Sequence, residues 1–304
     1  MSYNKFLSKY GYILFSVVVI VTWGLVPLFA KLGSLPGGQT TMWVNWFAVI
    51  AVLVIMALTN NLKQIRKGLP YKTYVKIGFI WPLVYSIAYF SAVDKGGPSL
   101  TTIANYTWPV FALALSYIML KEKSSGKDWI VVVFAAMAVG IPVFLEGKVN
   151  LLLWPLIFGL VAAASQAYFN ISTHDFGADT AWVLTLVISI VTAVGSTIYV
   201  VIFEKFELPG ITTLGYLAFI GSISNGIGFW AFLRAGQAAR ALGKKSNTIF
   251  LVLMCLTPLA QALVLLVPFW KVESVSPLRW VGIILITLSV CLYHFLPEKK
   301  NENM

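Results

Sequence analysis

Ten apolar tracts of about 20 residues follow one another along this chain of 304 residues. A helix of that length measures about 30 Å, which matches the thickness of the hydrocarbon layer of a membrane. Each tract is therefore predicted to cross a bilayer as a helix. Alternating ten-residue strands, which would indicate a membrane β-barrel, are not visible. The tracts cover residues 11–30, 39–59, 73–93, 99–120, 128–145, 151–171, 180–203, 211–233, 247–268 and 277–296.

The scarcity of charge excludes a soluble protein. Only 11% of the residues are charged, whereas soluble domains carry roughly 25%. The links between tracts are short, the longest covering residues 60–72, so no separate globular domain is expected. The first tract follows Lys5 and Lys9, as in a signal peptide, but it is long for one and no cleavage site follows it. The sequence thus predicts an all-α polytopic membrane protein.

The basic residues predict the orientation in the membrane. The net charge is +11, which on a soluble face would suggest nucleic acid, but these charges are divided unequally between the two sides of the membrane. With ten spans, sixteen of the 22 Lys and Arg residues fall on the side that holds both termini, and six fall on the other. Positive residues favour the cytoplasmic side. We therefore expect cytoplasmic termini and no nucleic-acid partner.

The second half of the chain repeats the outline of the first. Span four contains Pro109 and span nine contains Pro258, and each is followed about twenty residues later by a tryptophan that opens the next span, Trp129 or Trp280. Each half has five spans, an odd number, so the halves must enter the membrane in opposite senses. The prediction is ten transmembrane helices as two inverted five-helix repeats, residues 1–147 and 148–304. Broken helices at matching positions mark the site in such proteins, so Pro109 and Pro258 are predicted hinges.

These features resemble the EamA-type branch of the drug/metabolite transporter superfamily over essentially the whole chain. The resemblance is carried by Trp23-Gly24 in span one, by Pro109 followed by Glu122, and by Pro258 in span nine. The segment Asn105-Tyr106-Thr107-Trp108-Pro109 is similar to that of bacterial aromatic amino acid exporters. The resemblance implies ten helices around a central cavity, and export of amino acids or related metabolites across a bacterial plasma membrane. The segment before Pro258 departs from the pattern, because it is more apolar than its partner.

Polar and aromatic side chains inside the apolar tracts are the candidate substrate contacts. Aromatic faces suit flat or cationic solutes, and amides at membrane depth need a partner or a wet cavity. Spacing places Trp81, Tyr85 and Tyr89 on one helix face, and Asn105 with Trp108 on another. Lipid contact, interfacial anchoring and helix packing are the alternative roles. The predicted substrate-binding residues are Trp81, Tyr85, Tyr89, Asn105, Tyr106, Trp108, Gln166, Asn170, Asn225 and Trp230.

No Asp, Glu, His, Lys or Arg lies in the middle of a predicted span. A proton-coupled pump normally buries such a group, so the hypothesis is facilitated movement or exchange, with Asp94 as the carboxylate near a gate. The sequence contains no HExxH motif, no GxSxG elbow and no paired intramembrane aspartates. We therefore expect no enzyme activity, no cofactor and no metal. Cys255 and Cys291 both fall inside spans and predict no disulfide framework.

The function predicted from the sequence is export of small organic metabolites by alternating access, with aromatic or other amino acids as the favoured cargo. The alternative cargo is a quaternary amine or a drug-like cation, which an aromatic wall could hold. A channel or an intramembrane enzyme has weaker support. The expected partners are the small-molecule substrate and the lipid bilayer, and the expected state is a monomer.

Overall fold

A computed structural model describes residues 3–66, 68–121, 126–146, 149–173, 180–254, 256–265 and 272–295. The regular structure in these ranges is helical, and no strand occurs there. Cys255 lies outside the described residues.

Fifteen α-helices make up the described chain. The first eight are α1 (Tyr3–Gly24), α2 (Val26–Gly33), α3 (Gly37–Leu58), α4 (Tyr71–Gly78), α5 (Tyr85–Gly96), α6 (Pro98–Asn105), α7 (Trp108–Leu115) and α8 (Gly126–Leu145). The others are α9 (Val149–Ser172), α10 (Ala181–Phe203), α11 (Ile211–Phe219), α12 (Phe229–Ala241), α13 (Lys244–Met254), α14 (Thr257–Leu265) and α15 (Pro277–Phe295). Wider π-helical turns cover Phe79–Val84, Ser116–Leu120 and Ile220–Gly228, and a short 3-10 turn covers Leu62–Gln64.

Several helical segments are long and apolar enough to cross a membrane. In the described part of the chain, six meet both conditions, and two shorter apolar helices, Trp129–Leu145 and Pro277–Ser289, accompany them. The prediction of a helical multi-pass membrane protein is confirmed at this level. The six are Tyr10–Gly33, Gly37–Leu58, Tyr71–Gly96, Leu152–Ser172, Ala181–Phe203 and Ile211–Ala241.

The fourth and ninth apolar tracts are each broken into two short helices. Helix α6 ends at Asn105 and α7 begins at Trp108, while α13 ends at Met254 and α14 begins at Thr257. Proline is the second residue of both α7 and α14. Since proline has no N–H, Pro109 cannot donate to the carbonyl four residues before it, which belongs to Asn105.

The break at the fourth tract corrects one expectation. Asn105 and Trp108 were predicted to share one helix face because they are three residues apart. Thr107 N instead donates to Ala104 O at 3.2 Å, a tight turn that ends α6 and separates the two residues onto different helices.

Two further tracts contain a π-helical turn. The turn Phe79–Val84 joins α4 to α5, and the turn Ile220–Gly228 joins α11 to α12. Trp81 inside the first turn has an extended backbone, with φ −142° and ψ 126°, and precedes Pro82. Both turns direct residues toward the interior of the bundle.

The helices pack in two extended pairs, α3 with α10 and α8 with α15. Close approach depends on glycine. A Cβ added to Gly282 of α15 would lie 2.6 Å from the carbonyl oxygen of Ala138 in α8, and one added to Gly221 would collide with the carbonyl of Val44 in α3. Small residues at these positions therefore permit close helix approach.

Candidate functional site

A cavity of about 540 Å³ opens inside the helix bundle. Its walls come from both halves of the chain. Nine of the ten predicted substrate-binding residues line it, together with one of the two predicted hinges. These lining residues are Trp81, Tyr85, Tyr89, Asn105, Tyr106, Trp108, Gln166, Asn170, Asn225 and Pro258.

One wall of the cavity is aromatic. The ring of Trp81 stacks on that of Phe169, with centroids 4.1 Å apart, and the ring of Phe229 packs at 5.0 Å. The rings of Tyr85 and Tyr89 are nearly parallel, with centroids 5.5 Å apart and an interplanar angle of 12°. The predicted common face of residues 81, 85 and 89 is thus present, and it offers π surfaces to a flat solute.

A chain of amide hydrogen bonds positions the indole of Trp81. Its Nε1 donates to Gln166 Oε1 at 2.9 Å, and Gln166 Nε2 donates to Asn170 Oδ1 at 3.1 Å. Gln166 therefore has partners at both ends of its amide. Gln166 and Asn170 lie four residues apart on α9 and therefore share one helix face. That face holds the indole of Trp81, which belongs to the π-helical turn between α4 and α5.

Only one of the two polar atoms in the Asn105 side-chain amide has a hydrogen-bond partner among the described residues. Its Nδ2 donates to Tyr85 Oη at 3.4 Å. Among the described residues, neither Asn105 Oδ1 nor Tyr89 Oη has a hydrogen-bond partner, although both atoms are buried. Buried polar atoms are nearly always paired in native proteins, so these two atoms mark a place where a ligand could bind.

Hydrogen bonds join helices α1, α6 and α14 beside the cavity. Thr102 Oγ1 of α6 donates to Gln261 Oε1 of α14 at 2.8 Å, and Gln261 Nε2 donates to the carbonyl of Trp23 at 3.1 Å. Trp23 Nε1 in turn donates to the carbonyl of Ser224 at 3.1 Å. Gln261 was not among the residues predicted from the sequence, although an amide inside an apolar tract was a signal available for it.

A cluster of charged residues joins four segments at one end of the bundle, called here the carboxylate end. The Arg279 guanidinium donates to Glu146 at 3.1 and 3.2 Å, and it also pairs with Glu273. Ser99 N, at the start of α6, donates to Glu273 Oε2 at 2.9 Å. The three charged side chains are only 13–14% exposed. This cluster was not predicted from the sequence, because its members come from separate span ends.

A third carboxylate binds at the same end of the bundle. Glu204, which follows α10, accepts hydrogen bonds from the backbone amides of Gly38 and Gln39 at 2.9 and 3.0 Å. These are unpaired amides of the first turn of α3, where the helix dipole favours a negative charge. The Gln39 side chain also binds the backbone of Lys205 and Glu207, each at 2.9 Å, so the loop after α10 is fixed to α3.

The cavity reaches the opposite end of the bundle. Thr173, Arg240 and Asn247 line it there. The residues of the charged cluster, by contrast, are not part of its lining. Arg240 is the one charged residue among the described residues that line the cavity.

Three predicted site residues lie outside this lining. The ring of Trp230 stacks on that of Trp182 at 4.7 Å, and Pro109 follows the break between α6 and α7. The side chain of Asp94 is exposed at the carboxylate end, where its backbone carbonyl accepts a hydrogen bond from Lys31 Nζ at 2.8 Å. The gate role of Asp94 stays a prediction, but the carboxylates that bridge helices are those of other residues.

Comparisons with known proteins concern the family and the fold of the chain. Residues 10–144 match the EamA-like transporter family, whose members are membrane transporters of small solutes. No curated protein sequence matches the chain. A solved structure titled "Crystal structure of protein" is similar with a TM-score of 0.64 and 16% sequence identity, over 93% of this chain and 96% of that one. At this identity the similarity concerns the fold alone.

Proposed function

We propose that the chain exports small organic metabolites, most of all aromatic and other α-amino acids, through its central cavity. The observation that carries this proposal is the cavity itself. Its volume of about 540 Å³ lies within the range of about 300–1,000 Å³ typical of small-molecule sites. It combines an aromatic wall with unpaired polar atoms inside a bundle of apolar helices, which is the composition that an aromatic amino acid requires.

The proposed architecture is ten spans in two inverted repeats, residues 1–147 and 148–304. Three features support it, because each of them occurs at matching positions in the two halves. The broken tracts are α6–α7 and α13–α14, and the π-helical turns are Phe79–Val84 and Ile220–Gly228. The two extended helix pairs, α3 with α10 and α8 with α15, join corresponding spans of the two halves.

The proposed mechanism is alternating access, with the cavity closed toward the carboxylate end. Two layers of contacts support closure there. Thr102 and Gln261 join α6 to α14 beside the cavity, and Arg279 with its two glutamates joins the helix ends beyond them. Transport then requires these contacts to separate while the opposite ends of the broken tracts approach each other. The breaks before Pro109 and Pro258 supply the hinges.

The proposed orientation places the open end of the cavity in the cytoplasm. The carboxylate end carries few Lys and Arg residues, whereas Arg234 and Arg240 belong to α12, which ends at the opposite end of the bundle, and α13 begins there with Lys244 and Lys245. Positive residues remain on the cytoplasmic side. A solute would therefore enter from the cytoplasm, in the state that a plasma-membrane exporter uses for loading. Both termini are then cytoplasmic. The proposed oligomeric state is a monomer.

A second cargo class, quaternary or drug-like cations, is favoured by the aromatic wall alone. The stacked rings of Tyr85 and Tyr89 and the indole of Trp81 could hold a cation through their π faces. That site would make no use of the unpaired hydrogen-bonding atoms, because a quaternary amine has no N–H to donate.

Counterflow in proteoliposomes tests the proposal. Vesicles are preloaded with unlabelled solute, and uptake of labelled tryptophan, threonine and choline is followed for the wild type and for Trp108→Ala. Accelerated amino acid exchange that is lost in the variant is the expected result. Exchange of choline alone would replace the amino acid proposal with the cation alternative, and a covalently altered product would indicate an enzyme.

A further inference from the structure

Two polar atoms in the cavity wall lack the hydrogen bonds that burial demands. Asn105 Oδ1 and Tyr89 Oη have no partner among the described residues. Their side chains are 5% and 2% exposed, and both residues line the cavity. Burying a polar atom away from water without a protein hydrogen-bond partner costs free energy. A bound ligand that supplies the missing partners would remove this cost.

Tyr85 contacts both residues that carry the unpaired atoms. Its hydroxyl accepts a hydrogen bond from Asn105 Nδ2, and its ring stacks against that of Tyr89. The contact with Tyr85 uses the donor side of the Asn105 amide and leaves the acceptor side for a ligand. The Tyr89 hydroxyl can donate as well as accept. The wall therefore presents one acceptor and one donor on two residues that both contact Tyr85.

We propose that this pair of residues binds the head group of an α-amino acid. Asn105 Oδ1 accepts a hydrogen bond from the ammonium group, and Tyr89 Oη donates one to the carboxylate. The assignment rests on the proposed function and specifies its substrate class as zwitterions with a free primary amine. Hydrogen bonds to charged groups are stronger than those between neutral groups, so two neutral residues can select the zwitterion.

The rest of the cavity suits the other end of such a solute. Trp81, stacked on Phe169 and fixed by Gln166, lies next to Tyr85 with ring centroids 5.5 Å apart. An apolar or aromatic side chain can pack there while its head group binds Asn105 and Tyr89. Because a zwitterion has no net charge, its binding requires no counter-charge in the wall.

The test uses three solutes that share one indole ring. Labelled tryptophan has both head groups, tryptamine lacks the carboxylate, and indole-3-propionate lacks the ammonium. Initial counterflow rates are measured in proteoliposomes for the wild type, Asn105→Leu and Tyr89→Phe. Tyr12→Phe is the matched control, because Tyr12 is a buried tyrosine packed against α12 and α13 that does not itself line the cavity. Size-exclusion profiles establish that each variant is folded.

The wild type should move tryptophan at least about tenfold faster than either analogue, which is the scale of one hydrogen bond to a charged group. Asn105→Leu should lose the preference for tryptophan over indole-3-propionate and keep the preference over tryptamine. Tyr89→Phe should show the opposite pattern. Asn105→Asp retains an acceptor and should keep the preference for solutes with an ammonium group, which separates this role from a purely structural one.

Other results would overturn the assignment. If the two variants exchange their patterns, the Asn105 amide has the reverse orientation and binds the carboxylate. If both variants discriminate as the wild type does, the head group binds elsewhere, while transport of tryptophan by the wild type would still support the proposed function. If the wild type moves neither these solutes nor threonine or choline, the proposed function fails, and this assignment fails with it.

Discussion

Arg279 holds Glu146 with two hydrogen bonds, from Nε to Oε1 at 3.1 Å and from Nη2 to Oε2 at 3.2 Å. The same guanidinium also binds Glu273, which accepts hydrogen bonds from Ser99 at the start of α6. One residue of α15 therefore fixes the end of α8 and the start of α6. In the proposed mechanism this cluster must separate each time the carboxylate end opens.

Arg279→Gln should weaken closure of the carboxylate end. The substitution leaves two mostly buried carboxylates without their cation, and removing one partner of such a pair is destabilising by up to about 3–5 kcal/mol. The melting temperature should fall. A cysteine introduced at Thr102 should react faster with an impermeant thiol reagent added from that side. Arg279→Lys, which keeps the charge, is the control; equal reactivity in both variants would argue against a role in closure.

Gln166→Leu should disturb the aromatic wall. The change removes the acceptor for Trp81 Nε1 and leaves that buried N–H unpaired, at a cost of about 1–3 kcal/mol. Both thermal stability and the apparent affinity for tryptophan should decrease, which thermal unfolding and concentration-dependent counterflow measure. Gln166→Glu retains an acceptor and should affect the affinity less. Unchanged affinity in Gln166→Leu would show that the position of the Trp81 indole does not matter for substrate binding.

Pro258→Ala should slow transport more than it weakens binding. Alanine restores an N–H that can donate to the carbonyl of Met254, so α13 and α14 can join into a straighter helix. Substrate binding to detergent-solubilised protein should change little, while the counterflow rate should fall several-fold. Pro155→Ala in α9, outside the two broken tracts, is the control. Equal rates in wild type and Pro258→Ala would remove the hinge from the mechanism.

A pH gradient should not drive accumulation of the substrate. The described residues that line the cavity include no Asp, Glu, His or Lys, and arginine stays protonated at physiological pH. Uptake of labelled tryptophan into proteoliposomes should reach the same plateau with and without a gradient. Accumulation above equilibrium that a protonophore abolishes would show coupling to protons, and Glu146 and Glu273 would then be the first carboxylates to replace.

The sequence was sufficient to predict much of the cavity wall but not the charged contacts at the carboxylate end. Asn105, Gln166 and Asn225 could be identified because an amide in an apolar tract needs a special environment. The charged cluster could not, because charges at span ends are common and their pairing depends on how separate helices meet. Trp230 was assigned to the site from an aromatic pattern. It closely follows a π-helical turn, whose extra residue rotates the helix face that comes next.

A reversible block of the cavity tests the central claim most directly. Ser189 lines the cavity and is 3% exposed, so Ser189→Cys, with Cys255 and Cys291 replaced by alanine, provides one thiol inside it. A bulky methanethiosulfonate reagent should reduce tryptophan counterflow at least about tenfold, because the attached group fills the space that the substrate needs, and dithiothreitol should restore it. Thr59→Cys in the same background, exposed at the end of α3, should label without loss of flux. Complete labelling of the thiol introduced at position 189 with undiminished flux would contradict transport through this cavity.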